Sequence, residues 1–281
     1  MTTTFADLAV PAEIARALAD RGITEPFPIQ AATIPDGLAG RDLCGKAPTG
    51  SGKTIAFGIP LVARGSRSAP KKPHGLVLVP TRELALQVAT ELTHFAGDLR
   101  VLAVYGGANI EPQIKKLRAG IDILVACPGR LLDLIDRRVC DLRDVSFAVV
   151  DEADRMADMG FLPDVRRILD QTRSDRQTVL FSATLDGAVD KLVRDYQSDP
   201  VRHESAGEES GDVTTHFWLV ERPEKVALAA QVIALAGHTV VFCRTRHGSD
   251  RVAKQLEKAG VRAAAIHGAR SQAQRERALR A

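Results

Sequence analysis

Short runs of consecutive apolar residues alternate along this chain with stretches whose apolar positions recur every three or four residues. The runs at 42–44, 76–79, 101–105, 121–126, 147–150 and 178–181 predict strands. The helical-period stretches at 82–95, 113–118, 131–135, 162–169 and 188–196 predict helices between them, with another starting at Lys53. Strands that are apolar throughout, rather than on alternate positions, belong to a sheet covered on both faces. Strand–helix alternation makes neighbouring strands parallel. The predicted fold class is therefore α/β, a parallel sheet flanked by helices.

The pattern breaks at 204–212, an acidic stretch of small residues with almost no apolar content, which reads as a linker. Beyond it the alternation starts afresh: strands at 216–220, 239–243 and 263–267, helices at 225–236 and 249–258, and a last helix from Ser271. The expected organisation is a first domain over 1–203, the linker, and part of a second domain over 213–281. Three parallel strands leave open edges and little core. The basic loop 64–74 between the first helix–strand pair reads as a solvated connection rather than a ligand grip.

Composition changes this picture little. A net charge of +3 permits a nucleic-acid partner without demanding one. Aromatic residues make up only 4%, which argues against extensive base stacking and leaves backbone contact as the main mode for any nucleic acid. Cys44, Cys127, Cys140 and Cys243 form no CxxC pair and read as scattered reduced thiols. The N-terminus has no basic start followed by an apolar segment, and the longest apolar stretch, 226–236, is too short to cross a bilayer. A soluble, cytoplasmic protein is expected.

Two segments carry the chemistry. Residues 47–54 read Ala47-Pro48-Thr49-Gly50-Ser51-Gly52-Lys53-Thr54, a glycine-rich loop between a strand and a helix. Gly50 and Gly52 let backbone N–H groups wrap phosphates, and the helix N-terminus adds partial positive charge. Lys53 would reach the β- and γ-phosphates and Thr54 would coordinate Mg²⁺. About a hundred residues later, Asp151-Glu152-Ala153-Asp154 follows the apolar run 147–150. Strand ends of this kind face the ligand crevice of open α/β sheets. Asp151 is placed to hold Mg²⁺ through water, and Glu152 to orient and deprotonate an attacking water.

Further polar segments punctuate the same strand ends: Pro80-Thr81-Arg82, Gly106-Gly107, Cys127-Pro128-Gly129-Arg130 and Ser182-Ala183-Thr184. Each alone is ordinary capping; as a series they suggest a phosphate-backbone path. Taken with 22–30 (Gly-Ile-Thr-Glu-Pro-Phe-Pro-Ile-Gln), an isolated Phe5 upstream, 240–246 and Ile266-His267-Gly268, the chain resembles the DEAD-box ATP-dependent RNA helicases of bacterial type over nearly its whole length.

The resemblance implies a RecA-like first lobe, with a nucleotide-reading element at about 3–30, and an incomplete second RecA-like lobe. It implies that Gln30 reads the adenine edge in a pocket shaped by Phe5 and Ile23. It also implies that Asp154 with Ser182, Ala183 and Thr184 links hydrolysis to lobe closure. Pro80, Thr81, Arg82, Gly107, Cys127, Pro128, Gly129 and Arg130 would line a single-strand RNA path, with Thr245, Gln272 and Arg275 holding the strand from the second lobe. Such contacts would be largely sequence-independent. On the residues alone, Gln30 would be a surface helix position.

Three positions depart from the family pattern. Phe27 stands where Thr is usual, so a hydroxyl near the phosphate loop is missing. Pro48 occupies a variable loop position and is expected to be harmless. Cys127 replaces a Thr, and a thiol is a poorer partner for phosphate. The family's later Arg-Gly-Asp and His-Arg-x-Gly-Arg-x-x-Arg segments have no counterpart within the 281 residues. The second supplies the arginines that stabilise the transferring phosphoryl group, so ATP binding is expected to outlast turnover here. Alternative readings are a DNA helicase or other P-loop ATPase, and a non-catalytic ATP- and RNA-binding module or gene fragment.

Overall fold

The computed structural model describes residues 3–48, 50–185, 187–205, 214–271, 274–275 and 277–278. The chain divides into two compact units, Met1–Gly211 and Asp212–Ala281.

The first unit is built on seven parallel strands: β1 (Leu43–Lys46), β2 (Gly75–Leu78), β3 (Val101–Val104), β4 (Ile123–Ala126), β5 (Phe147–Val150), β6 (Gln177–Ser182) and β7 (Val201–Glu204). Their order across the sheet is β3-β4-β2-β5-β6-β1-β7. Side chains alternate between the two faces. Val77, Val125, Val149, Val179 and Phe181 enter one apolar cluster, while Leu76, Leu78, Leu124, Ala148, Val150 and Leu180 enter the other. Helices Pro28–Leu38, Lys53–Ala63 and Arg82–Phe95 contribute to the first cluster, and Pro128–Asp136, Leu162–Leu169 and Gly187–Tyr196 to the second. Both faces are therefore covered, which is why the strands read as continuous apolar runs. Gly45 of β1 pairs with Phe181 of β6, and a side chain at Gly45 would fall 2.2 Å from that ring. The glycine lets Phe181 lie across β1 toward Phe57 of the overlying helix, with ring centroids 6.0 Å apart.

Two sequence expectations about the connections of this unit are corrected. Glu204, assigned to the linker, belongs to β7, which pairs with β1 from Leu43↔Val201 to Lys46↔Glu204. As an edge strand β7 needs no apolar run, so Val201-Arg202-His203-Glu204 carries no pattern to find. The remainder of the expected linker, 205–212, lies outside the described residues except for Ser205, whose N–H donates to the Lys46 carbonyl. The loop 64–74 is not merely solvated. Asp122, fully buried, accepts from the Ser68 N–H at 2.6 Å, the Arg100 N–H at 2.7 Å and the Arg100 guanidinium at 2.8 and 2.9 Å, and so pins the loop to the sheet. Burial opposes ionisation of Asp122, but the Arg100 hydrogen bonds outweigh it and hold the carboxyl well below the usual range.

In the second unit the helices Lys225–Ala236 and Arg246–Lys258 form, the latter starting before the expected Ser249 because Thr245 Oγ1 caps it by accepting from Gly248 N–H at 3.0 Å. The strands expected at 216–220, 239–243 and 263–267 do not form among the described residues. Phe217 and Phe242 are each 93% exposed. A parallel strand gains nothing without paired neighbours and a layer on each face, and Leu256 is the sole buried hydrophobic residue among those described in this unit.

Candidate functional site

The sheet order decides what meets at the C-terminal rim. β5, β6 and β1 are consecutive neighbours, so the segments that follow them (151–154, 182–184 and 47–54) become adjacent although far apart in sequence. On the other half of the rim, β3, β4 and β2 bring together 106–107, 127–130 and 80–82.

In the phosphate-loop segment Gly50 and Gly52 have φ of +87° and +82°, a left-handed backbone that suits glycine. Gly52 is under a second constraint, since a Cβ there would lie 2.3 Å from Gln30 Nε2 and 2.6 Å from the Phe27 ring. Ser51 Oγ donates to the Pro48 carbonyl at 2.8 Å, closing the loop. Lys53, first residue of its helix, is buried and donates Nζ to the Ala47 carbonyl at 3.2 Å. Thr54 is half-buried one residue further on, and Thr49 lies outside the described residues.

Asp151 caps the end of β5 and is buried; its Oδ1 accepts from the Glu152 N–H at 3.0 Å. Burial pushes its carboxyl up to about 6, against the opposing pull of Lys53 and with the repulsion of Glu152 and Asp154. Glu152 sits at φ +53° and ψ +50°, an uncommon conformation for a residue with a side chain, and its Oε2 pairs with Arg155 NH1 at 3.1 Å. Ser182, the last residue of β6, joins the parts. Its carbonyl accepts from Ala47 N–H at 3.1 Å and its hydroxyl from Asp154 N–H at 3.2 Å. Asp154 Oδ2 accepts in turn from Ala183 N–H at 3.1 Å, while Thr184 is exposed beside it.

Gln30 is 1% exposed, which overturns the surface reading of the residues alone. Its Oε1 accepts from Phe27 N–H and its Nε2 donates to the Gly52 carbonyl, both at 2.9 Å. Phe5 lies in the apolar cluster with Ile29, and Ile23 packs half-buried against it. Phe27 leaves half its surface exposed beside Gly52.

On the other half of the rim, Thr81 caps helix Arg82–Phe95 by accepting from Leu84 N–H at 3.3 Å, directly after buried Pro80. Arg82 and Arg130 converge on one turn. The Arg82 guanidinium lies under Gly107, and Arg130 donates to the Ala108 carbonyl at 3.1 Å. Cys127 occupies the N-cap of helix Pro128–Asp136 with no side-chain capping bond, ahead of buried Pro128 and exposed Gly129. Burial pushes its thiol up to about 11. In the second unit, Thr245 is exposed at its helix cap and Arg275 N–H donates to the Ser271 carbonyl. Gln272 lies outside the described residues. Sequence reasoning missed two partners, Arg155 for Glu152 and Gly52 for Gln30. The first could have been found from the three-residue spacing on a helix; the second has no local signal.

Residues 27–192 match the family model described as DEAD/DEAH box helicase. The chain is 42% identical to the ATP-dependent RNA helicase DeaD of Escherichia coli K12 over 99% of its own length and 45% of that protein's. It is 41% identical to the Mycobacterium tuberculosis protein of that name, again over 99% of this chain, and spans 50% of that relative. The chain thus covers about half the length of these relatives. A crystal structure of a DEAD box protein from Methanococcus jannaschii is similar with a TM-score of 0.69 and 34% identity, over 99% of this chain and 76% of that one.

Proposed function

Because the chain belongs to the DEAD/DEAH box helicase family, we propose that it binds ATP with Mg²⁺ and single-stranded RNA and serves ATP-dependent RNA remodelling. The observation that carries this reading is the Ser182 junction, which ties the loop at Ala47 to the acidic turn at Asp154. Through it, a change at the phosphates would bear on the acidic turn and on 182–184.

The residues suit such a ligand. Among the described residues Lys53 Nζ hydrogen-bonds to a carbonyl and to no carboxylate, so it is available to a phosphate oxygen, and the left-handed turns at Gly50 and Gly52 favour inward N–H groups. Thr54 and Asp151 are hard oxygen donors. No cluster of three or more His, Cys, Asp or Glu that could hold a metal occurs among the described residues, which suits an ion that takes most of its ligands from phosphate and water. Bound there, Mg²⁺ would neutralise charge on the phosphate oxygens. Lys53 would hold the terminal phosphate. Glu152 would take the proton of the attacking water as its oxygen bonds to phosphorus and the bond to the leaving diphosphate oxygen breaks. Glu152 Oε2 is paired with Arg155, which leaves Oε1 as the oxygen to receive that proton.

Gln30 has one amide N–H and one carbonyl lone pair to spare after its two protein bonds. That donor–acceptor pair complements N7 and the N6 amine of adenine and supports a preference for ATP. Arg82, Arg130 and the turn they brace support a phosphate-backbone path for RNA.

The test is ATP hydrolysis by the purified chain with and without single-stranded RNA, against Glu152→Gln. RNA-stimulated turnover absent from that variant supports the enzyme. Turnover at the variant's level, with ATP still bound, reduces the reading to an ATP- and RNA-binding module. Stimulation by single-stranded DNA equal to that by RNA would overturn the assignment of substrate.

A further inference from the structure

Phe27 is poorly chosen for folding alone. It occupies the N-cap of helix Pro28–Leu38, where a side-chain oxygen would accept from the free N–H groups of the first turn, and it makes no side-chain capping bond. It also leaves 52% of its surface in water. Among the described residues of the first unit, Phe27 and Met159 are the only large hydrophobic side chains left exposed. A ring here gives the helix no cap and removes only part of its apolar area from water. A Thr, the residue usual at this position in the family, would serve the helix better.

The neighbours of the ring belong to the nucleotide site. A Cβ at Gly52 would lie 2.6 Å from Phe27 Cδ2 and 2.3 Å from Gln30 Nε2, so the ring and the amide flank one point of the glycine loop. The two residues are also fixed to each other. Phe27 N–H donates to Gln30 Oε1 at 2.9 Å, and Gln30 Nε2 donates to the Gly52 carbonyl at 2.9 Å. The amide is held rigid by these bonds, and the exposed part of the ring stands beside it.

A purine whose edge hydrogen-bonds to Gln30 has two broad π-faces to cover. An aromatic ring next to that amide is suited to cover one of them. We propose that Phe27 is the stacking face for the base of the bound nucleotide. It rests on the reading of 47–54 and Gln30 as a nucleotide site. Stacking is tolerant of base identity, because every base has a π-face, so Phe27 supplies affinity for either purine while Gln30 supplies the choice of adenine. Exchanging a hydroxyl for a ring at this position shifts binding energy from the phosphate loop toward the base.

The test compares the parent chain with Phe27→Leu and Phe27→Tyr in binding ATP, GTP and tripolyphosphate, each with Mg²⁺, by calorimetry, together with proton NMR of the bound ATP. Phe27→Leu should weaken ATP and GTP alike, each about tenfold. It should leave tripolyphosphate, which has no base, unchanged, and that result also certifies an intact loop in the variant. Phe27→Tyr should keep both nucleotides within roughly twofold of the parent. Adenine H2 and H8 should move upfield on binding to the parent and to Phe27→Tyr, the ring-current mark of stacking, and not on binding to Phe27→Leu. Equal losses for all three ligands would make Phe27 a support of the loop and overturn the stacking role. ATP binding by Phe27→Leu at parental strength, or a loss confined to ATP, would overturn it as well. A parent chain that binds none of the three would overturn the nucleotide reading itself, which keeps the two failures apart.

Discussion

Gln30 Nε2 donates to the carbonyl of Gly52 at 2.9 Å, joining the start of helix Pro28–Leu38 to the glycine-rich loop at the N-cap of helix Lys53–Ala63. The bond spans 22 residues of sequence and makes loop conformation depend on whatever Gln30 touches. Gln30→Ala should reduce ATP affinity by about 1–3 kcal/mol, the scale of a bidentate base contact, and should reduce GTP affinity less, by the loss of loop support alone. Titration with fluorescent analogues of both nucleotides measures this. Equal losses would confine Gln30 to a loop-supporting role.

Asp151 has a carboxyl raised to about 6 by its burial at the end of β5. A carboxyl with a folded value above its unfolded one binds the proton more tightly in the folded state. The chain without nucleotide should therefore lose stability as pH rises from about 4 to about 6, and stay level above that. Asp151→Asn should remove this slope and stabilise the nucleotide-free protein near neutral pH by about 1–3 kcal/mol. Nucleotide binding with Mg²⁺ should weaken in the parent as pH falls through about 6. Urea unfolding at several pH values checks the first; a flat profile in the parent would contradict it.

Asp122 behaves in the opposite sense. Its depressed carboxyl favours the folded state whenever ionised, so its contribution is present above the unfolded value near 4 and is lost as pH falls toward the lower folded one. Asp122→Asn leaves the Arg100 guanidinium and the Ser68 N–H without their charged acceptor. A loss of about 3 kcal/mol is expected, with faster proteolysis in 64–74. Denaturant melts and limited digestion measure the two effects.

Cys127 is an N-cap without a capping bond. Cys127→Thr places a hydroxyl in reach of the Gly129 and Arg130 N–H groups and should stabilise the protein by about 0.5–2 kcal/mol. The same hydroxyl should modestly raise affinity for single-stranded RNA. Thermal melts and RNA titrations separate the gains; equal RNA binding by variant and parent would rule out a phosphate contact at this position.

Much of the fold was legible locally, though helix Ala12–Ala19, with buried Ile14 and Leu18 at helical spacing, was not read. Helices Arg82–Phe95, Leu162–Leu169 and Lys225–Ala236 and strand Phe147–Val150 follow directly from periodicity, and the parallel α/β class from their alternation. The glycine loop and the acidic turn were legible because their chemistry depends on consecutive residues, whose backbone geometry is local. The inward position of Gln30, by contrast, depends on Gly52, and β7 on its pairing with β1.

Most strands and helices of the first unit, with its glycine loop and acidic turn, were readable in the amino-acid order, because hydrophobic period and loop composition act over a few residues; β7 and helices Ala12–Ala19 and Ala153–Asp158 were not. Strand pairing put β6 between β5 and β1, so that Ser182 bridges Ala47 and Asp154. The tertiary structure also decided that Gln30 turns inward onto Gly52, and that among the described residues the apolar segments 216–220 and 239–243 stay unpaired. Strand order and pairing depend on which surfaces find partners across the whole fold, and no window of sequence contains that choice.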